Sequence, residues 1–258
     1  MALEPLSNLN TTFSRIIFLN DVLFHHSDIL KLISDSYTPF YSNYRSPGRL
    51  PTMVCGLDIE RATLYDRWVL RDKCGHPISG MYPYFHSASD QSIVRQSGVL
   101  EVGVCWNGIA VLQADPFLNS SLRDSRHDWL EEQLRFPKLP DNCFASECTL
   151  LPLKLLNSTI GNAPLALMDT SVVLSYTRKW YFYYAILLRW PVVRLWRSLW
   201  EDIWWQVWWQ AGFGNLYTWK GVENGVGPPE CKISGWPSCY NYTGAVFGST
   251  KQGTYTLA

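Results

Sequence analysis

Arg15-Ile-Ile-Phe-Leu-Asn-Asp-Val-Leu-Phe24 is an apolar run that ends on a carboxylate. The four bulky residues Ile16 to Leu19 predict a buried β-strand, and Asn20-Asp21 then sets a polar pair where such a strand leaves a sheet. Ligand sites of open α/β sheets lie at strand ends of that kind. A carboxylate there can hold Mg²⁺ or Mn²⁺ against a diphosphate, because both ions prefer hard oxygen ligands and share them with phosphate. A strand followed by an Asx turn accounts for the same residues without a metal.

Downstream of this run, Ser27 is placed to cap a short helix over 28–33, with Asp28 at its positive end. Residues 35–52 are rich in Ser, Tyr, Pro and Gly and read as a loop. Met53-Val-Cys-Gly-Leu57 is a second apolar run, ending on Asp58-Ile-Glu60. Two strand ends therefore carry carboxylates that can converge on one site. Residues 62–72 predict a helix with Leu64, Trp68 and Val69 inward, stopped by Lys73-Cys-Gly-His-Pro77. Residues 78–92 read as irregular, and Tyr82, Tyr84 and Phe85 fit a core better than a binding cleft.

Gly98 to Leu112 predicts two strands around Cys105-Trp-Asn-Gly108. Asn-Gly is a strong hairpin signal, so a tight turn is the favoured reading. The functional alternative is a turn that exposes backbone and the Trp106 ring to a sugar. Further on, short helices are expected over 128–135 and from Ala145, where Ser146 caps and Glu147 stands in the first turn, and a strand is expected over 166–176.

Trp is concentrated between residues 180 and 219, where most of the 13 tryptophans fall. Trp180 to Leu188 is apolar but far short of the about 20 residues a membrane-spanning helix needs. From Val192 onward, Leu195, Trp196, Leu199, Trp200, Ile203, Trp204, Val207 and Trp208 recur with helical period, and Arg194, Arg197, Ser198, Glu201, Asp202 and Gln206 fill the opposite face. This amphipathic helix has two possible partners, the body of the protein or a membrane interface, and the mixed charge of its polar face favours packing on the protein.

The totals narrow the function. Among 258 residues, 47% are hydrophobic and 17% charged, which predicts a packed core. The 22 basic and 22 acidic residues cancel, which argues against nucleic-acid binding by a basic surface. Seven cysteines show no zinc-finger spacing, and the odd number leaves at least one thiol unpaired within the chain. Cys231 and Cys239 are available for a disulfide in a Gly- and Pro-rich tail. Four Asn-X-Ser/Thr sequons, at Asn10, Asn119, Asn157 and Asn241, suit a secretory lumen, although no signal peptide or N-terminal anchor is visible.

Nucleophile-elbow, Walker, dinucleotide-binding and zincin motifs are all missing from the sequence. The adjacent His25 and His26 point to different sides and read as surface residues. An ordered series is more informative: Phe18-Leu-Asn-Asp-Val22, Cys55-Gly-Leu-Asp58, Tyr65-Asp-Arg-Trp-Val69 with Arg71-Asp72 and Gly75, Cys105-Trp-Asn-Gly108, Ala114-Asp-Pro-Phe117 and Ser146-Glu-Cys148. Over residues 15–150 this series resembles the fungal capsule-associated α-1,3-mannosyltransferase family. Past Pro152 only Val172-Val-Leu-Ser-Tyr176 and Pro228-Pro-Glu-Cys231 are similar to late segments of the family.

The resemblance implies an α/β, GT-A-like glycosyltransferase fold and a type II membrane enzyme of the Golgi lumen. It implies transfer of mannose from GDP-mannose to a glycan acceptor through an α-1,3 linkage with retention, assisted by Mn²⁺. Asp21 is then the metal ligand, and Asp58 and Glu147 are the catalytic candidates. Trp106, Asn107 and Gly108 then border the acceptor or the donor sugar, and Arg71 meets phosphate, although an Arg-Asp pair at 71 and 72 suits a surface feature as well. About 15 residues precede the metal strand, against roughly 30 or more for a βαβ unit. The fold is thus expected to be incomplete at its N-terminus and its anchor absent, and a chain truly truncated in this way is expected to be inactive. Three segments are expected: a catalytic-type domain over 1–178, a Trp-rich helical segment over 179–219 and a loop-rich tail over 220–258. The alternative function is a non-catalytic subunit that meets a partner enzyme or membrane through the Trp-rich helix.

Overall fold

The computed structural model describes residues 11–41, 48, 50–61, 63–67, 69–79, 82, 84, 85, 87–117, 148, 152, 165–196, 199 and 200. Glu147, Trp68, the expected helix over 128–135, the tail and the second half of the Trp-rich helix lie outside these residues. Among the described residues, seven strands form one sheet, mainly antiparallel, with helices against it.

The strands are β1 (Arg15–Leu19), β2 (Met53–Glu60), β3 (Thr63–Leu64), β4 (Arg71–Asp72), β5 (Val99–Val104), β6 (Ile109–Gln113) and β7 (Ala166–Leu174). Their order across the sheet is β1-β6-β2-β7-β5-β4, with β3 paired on β2. Helix α1 spans His26–Tyr37 and α2 spans Ala88–Arg95. Strand β2 forms the middle of the core. Its odd-numbered residues Met53, Cys55, Leu57 and Ile59 enter one apolar cluster, while Val54 enters a second with Val111, Leu167 and Val172. Successive strand residues point to opposite faces, so an uninterrupted apolar run is what a strand covered on both sides requires.

Helix α1 packs Leu32 into the second cluster, flanked by the partly buried Ile29 and Ile33. It is longer than the sequence suggests, and its cap is His25 and not Ser27. The His25 ring accepts from the Ser27 amide at 3.3 Å, and the Asp28 carboxylate accepts from the His25 amide at 2.8 Å. This reciprocal pair satisfies two of the amides that a helix start leaves open. Both His25 and His26 are exposed, but their rings lie 4.1 Å apart and do not point to different sides. Lys31 ties the helix to the sheet through the fully buried Asp169 on β7.

Three other expectations are corrected. Strand β1 is an edge and not a buried strand: Ile16 and Phe18 pack inward, while Ile17 and Leu19 are exposed. Among the described residues its one strand neighbour is β6, which makes it the edge of the sheet. Residues 62–72 are not helical where described. Thr63–Leu64 turns back on β2, and Arg71–Asp72 pairs with β5, yet Leu64 and Val69 are buried as a helix would also have buried them. Within 78–92, Tyr84 and Phe85 are core residues, and the segment ends in α2 and not in a loop.

A fourth correction matters most for the site. Strands β5 and β6 do not form a hairpin, because β7 and β2 lie between them. Strand β5 is antiparallel to β7, β7 is parallel to β2, and β6 is antiparallel to β2. Both strands therefore run the same way, and residues 105–108 carry the chain past two neighbours. The Asn-Gly pair serves this passage and not a two-residue turn.

After β7 the chain forms a short helix α3 (Arg178–Tyr181), a π-helical turn over Phe182–Ile186 and a 3₁₀ turn over Leu187–Arg189. Residues 191–196 are again helical. Tyr184 and Ala185 pack on the core, but Trp190, Val192, Leu195, Trp196, Leu199 and Trp200 are exposed. Packing of the apolar face on the protein is therefore not what the described part of this helix does.

Candidate functional site

Asp58 reaches the site on the fully buried β2, and it is itself only 1% exposed. The passage from β5 to β6 meets it there. Cys105 is disulfide-bonded to Cys55, the Asn107 side-chain amide donates to the Gly56 carbonyl at 2.6 Å, and the Gly108 amide donates to Asp58 Oδ2 at 3.2 Å. The β2–β7 register shifts between Gly56 and Leu57, at the carbonyl that Asn107 occupies. Gly108 also accepts, through its carbonyl, from the Asn20 amide at 2.9 Å. The end of β1 and the Asp58 end of β2 thus converge through one glycine, as two carboxylate-bearing strand ends led us to expect.

Two acceptors in this cluster, Asp58 Oδ1 and Asn107 Oδ1, are buried and have no hydrogen-bond partner. A buried acceptor left without a donor is costly, so such a pair marks a place where a proton, a ligand hydroxyl or a cation completes the arrangement. Burial pushes the Asp58 carboxyl up to about 7, helped by the nearby charges of Asp66 and Glu60. The Gly108 amide and the Tyr176 hydroxyl act in the opposite direction. Burial also lifts Asp66 to about 6. The Tyr176 phenol is raised by burial and then by the charges of Asp58 and Asp66, with Asn20 as its hydrogen-bonding neighbour. Its ring lies 4.2 Å from that of Tyr65. Glu60 is fixed at the rim by the Ser175 and Thr177 hydroxyls, at 3.2 and 3.3 Å.

Of the residues singled out by sequence, Asp58, Asn107 and Gly108 come together. Asp21 is exposed, directly after the Asn20 that contacts Gly108. Trp106 is buried with its ring 4.8 Å from Phe18, so it supports the cluster from the core side. Arg71 sits on β4, three strand positions from β2, and its guanidinium donates to the Leu70 and Arg67 carbonyls at 2.9 and 3.3 Å. Tyr65, Asp66, Tyr176 and the Cys55–Cys105 bridge were not singled out. Tyr65-Asp66 lay in a stretch read as helix, and only its place in the ordered motif series marked it.

At this end of the sheet the described residues offer one exposed carboxylate, Asp21, and no trio of potential metal ligands. Elsewhere, Asp72, Cys74 and His76 bring potential ligand atoms within 4.8 Å of one another. That trio is a turn and not a metal site. Cys74 is disulfide-bonded, and Asp72 Oδ1 accepts from the Cys74 and His76 amides, each at 2.8 Å.

Gly108 has no room for a side chain. A Cβ there would stand 2.4 Å from Val22 Cγ1 and 3.2 Å from Asp58 Oδ2. Gly108→Ala is expected to cost about 1–3 kcal/mol, read by urea denaturation. Combined with Val22→Ala, it should cost less than the sum of the two single changes, because the second removes the atom the first strikes.

A family model described as Cryptococcal mannosyltransferase 1 matches residues 1–153. The chain is also 25% identical over 175 residues to the alpha-1,3-mannosyltransferase CMT1 of Cryptococcus neoformans var. neoformans serotype D, across 63% of this chain and 33% of that protein. It therefore spans about a third of the length of the curated relative it matches. No solved structure matches. The family match includes Asn20, Asp21, Asp58, Asn107 and Gly108, whereas β7 and Tyr176 lie beyond it.

Proposed function

This chain belongs to the Cryptococcal mannosyltransferase 1 family, and from that premise we propose that it transfers mannose from GDP-mannose to a glycan acceptor. The product on this reading is an α-1,3 linkage formed with retention, and the fold is GT-A-like with Mn²⁺ at Asp21. The observation that carries the proposal is Asp58: a buried carboxyl with one oxygen unpaired, joined through Gly108 to the polar end of β1. A carboxyl near pH 7 can both hold and release a proton at the operating pH, which is what a group exchanging a proton with an acceptor hydroxyl needs.

In this scheme Asp58 Oδ1 and Asn107 Oδ1 accept hydrogen bonds from sugar hydroxyls, and the Gly108 amide holds Asp58 Oδ2 in place. The Tyr176 hydroxyl borders the carboxyl on the β7 side. The metal, when bound, supplies positive charge against the departing diphosphate. A secretory-pathway or Golgi lumen is part of the proposal, and the Cys55–Cys105 bridge supports it, because disulfides persist in oxidising compartments.

The test is a transfer assay on the purified chain with radiolabelled GDP-mannose and α-mannoside acceptors, with Mn²⁺ present or chelated. Metal-dependent labelling of the acceptor is the expected result. Failure to bind GDP-mannose at millimolar concentration with Mn²⁺ present would end the proposal.

A further inference from the structure

We propose that residues 178–200 form a peripheral membrane-binding element that lies on an anionic bilayer surface without crossing it. The first observation is exposure. From Trp190 onward the exposed apolar side chains range from 46% at Trp200 to 77% at Val192, with Trp190, Trp196 and Leu199 between, while Val193 is partly buried. Phe182, Tyr183 and Ile186 extend the exposed surface back toward α3. A contiguous exposed apolar surface marks a contact with something other than water.

Charge identifies the partner. Between residues 178 and 200 the chain carries Arg178, Lys179, Arg189, Arg194 and Arg197 and no acidic residue. The mixed charge expected for the polar face begins only at Glu201 and Asp202. A protein interface of ordinary kind intersperses both signs at its rim, whereas a purely basic segment with Trp on its apolar side matches lipid headgroups that carry negative charge. Trp is suited to this boundary because its ring is apolar and its N–H is wet.

The backbone makes the contact superficial. Among the described residues no helix is long and apolar enough to cross a membrane. The segment is also broken into α3, a π turn, a 3₁₀ turn and, after Pro191, a further helical stretch. Its inner side is fastened to the protein: Tyr184 and Ala185 pack on the core, and the Arg189 guanidinium donates to the Ser171 carbonyl on β7. The element therefore presents one side to the sheet and the other outward.

Flotation of the full chain with phosphatidylcholine vesicles, with and without phosphatidylserine, tests this independently of any transferase activity. Flotation is expected with anionic vesicles and is expected to weaken in high salt. Trp196→Glu with Trp200→Glu should lower the floated fraction at least about ten-fold, with circular dichroism and melting unchanged because both residues are exposed. Lys179→Glu with Arg194→Glu should remove the preference for anionic vesicles. Quenching of the wild-type Trp fluorescence by brominated lipid needs no variant and should report the same contact. Equal flotation with neutral vesicles, flotation indifferent to the Trp changes, or a lipid-free dimer that those changes dissolve would each overturn the proposal.

Discussion

Asp58→Asn is expected to lower mannosyl transfer at least about 100-fold in kcat while raising the melting temperature above pH 7 by about 5 °C or more. The stability half follows from linkage. The folded Asp58 carboxyl titrates at about 7, against about 3.9 for an unfolded aspartate. Below pH 4 both states hold the proton and nothing is lost. Between about pH 4 and 7 only the unfolded state releases it, so stability falls as pH rises, and above about 7 the full penalty remains, on the order of 2–4 kcal/mol. Asn is neutral at every pH and removes that penalty. It also brings an N–H donor to a cluster that holds an unpaired Asn107 oxygen.

Asp66 and Asp35, both lifted by burial to about 6, carry the same sign. The native chain should therefore be most stable under mildly acidic conditions and weaken through pH 6 to 7, and Asp58→Asn should flatten that decline. Thermal melts across pH 4 to 8 on both proteins read the difference. A variant with full activity would remove Asp58 from the reaction, and one destabilised at pH 8 would show that its ionised form is stabilised by the fold.

Cys55→Ala with Cys105→Ala is expected to cost about 4 kcal/mol, the loop-closure value for a bridge spanning 50 residues. That span contains most of β2 and all of β3, β4, α2 and β5, so the cross-link restrains much of the unfolded chain. Removing it should raise the urea m-value as well as lower the midpoint, because the unfolded state expands. Both sulfurs are fully buried, so reductant added to the native protein should have little effect until the chain unfolds. Asn107 follows two residues after Cys105. Transfer activity should accordingly fall further than the loss of folded protein explains, as the hold on the Gly56 carbonyl loosens.

The parts of this fold that were legible in the sequence are those governed by local pattern. The apolar runs at 53–57, 98–112 and 166–176 all became strands, and the meeting of the two carboxylate-bearing ends was anticipated from their order. What failed depended on distant partners. Asn107-Gly108 carries a hairpin signature, but β7, more than 50 residues downstream, occupies the place that a hairpin partner would take. Leu64 and Val69 satisfy a helical spacing, yet pairing with β2 and β5 claims the backbone around them. Histidine is an uncommon helix cap, so Ser27 drew the assignment that His25 holds. In the site, Asp58 was visible as a strand-end carboxylate, whereas Asp66 and Tyr176 came into view only once the turn after β2 and the end of β7 had brought them beside it.

The insertion of β7 between β2 and β5 also governs how the chain acquires its structure. Until residue 174 has been made, β1, β6 and β2 can assemble on one side and β5 with β4 on the other, but each half ends in an unpaired edge. Long-range pairing of this kind pays its loop-closure entropy before any contact repays it, so folding is slow and the open edges are exposed to other chains meanwhile. A ribosome-released product ending before β7 should be captured by chaperones or aggregate. The bridge between Cys55 and Cys105, formed early, would keep the two halves near each other while they wait for the strand that joins them.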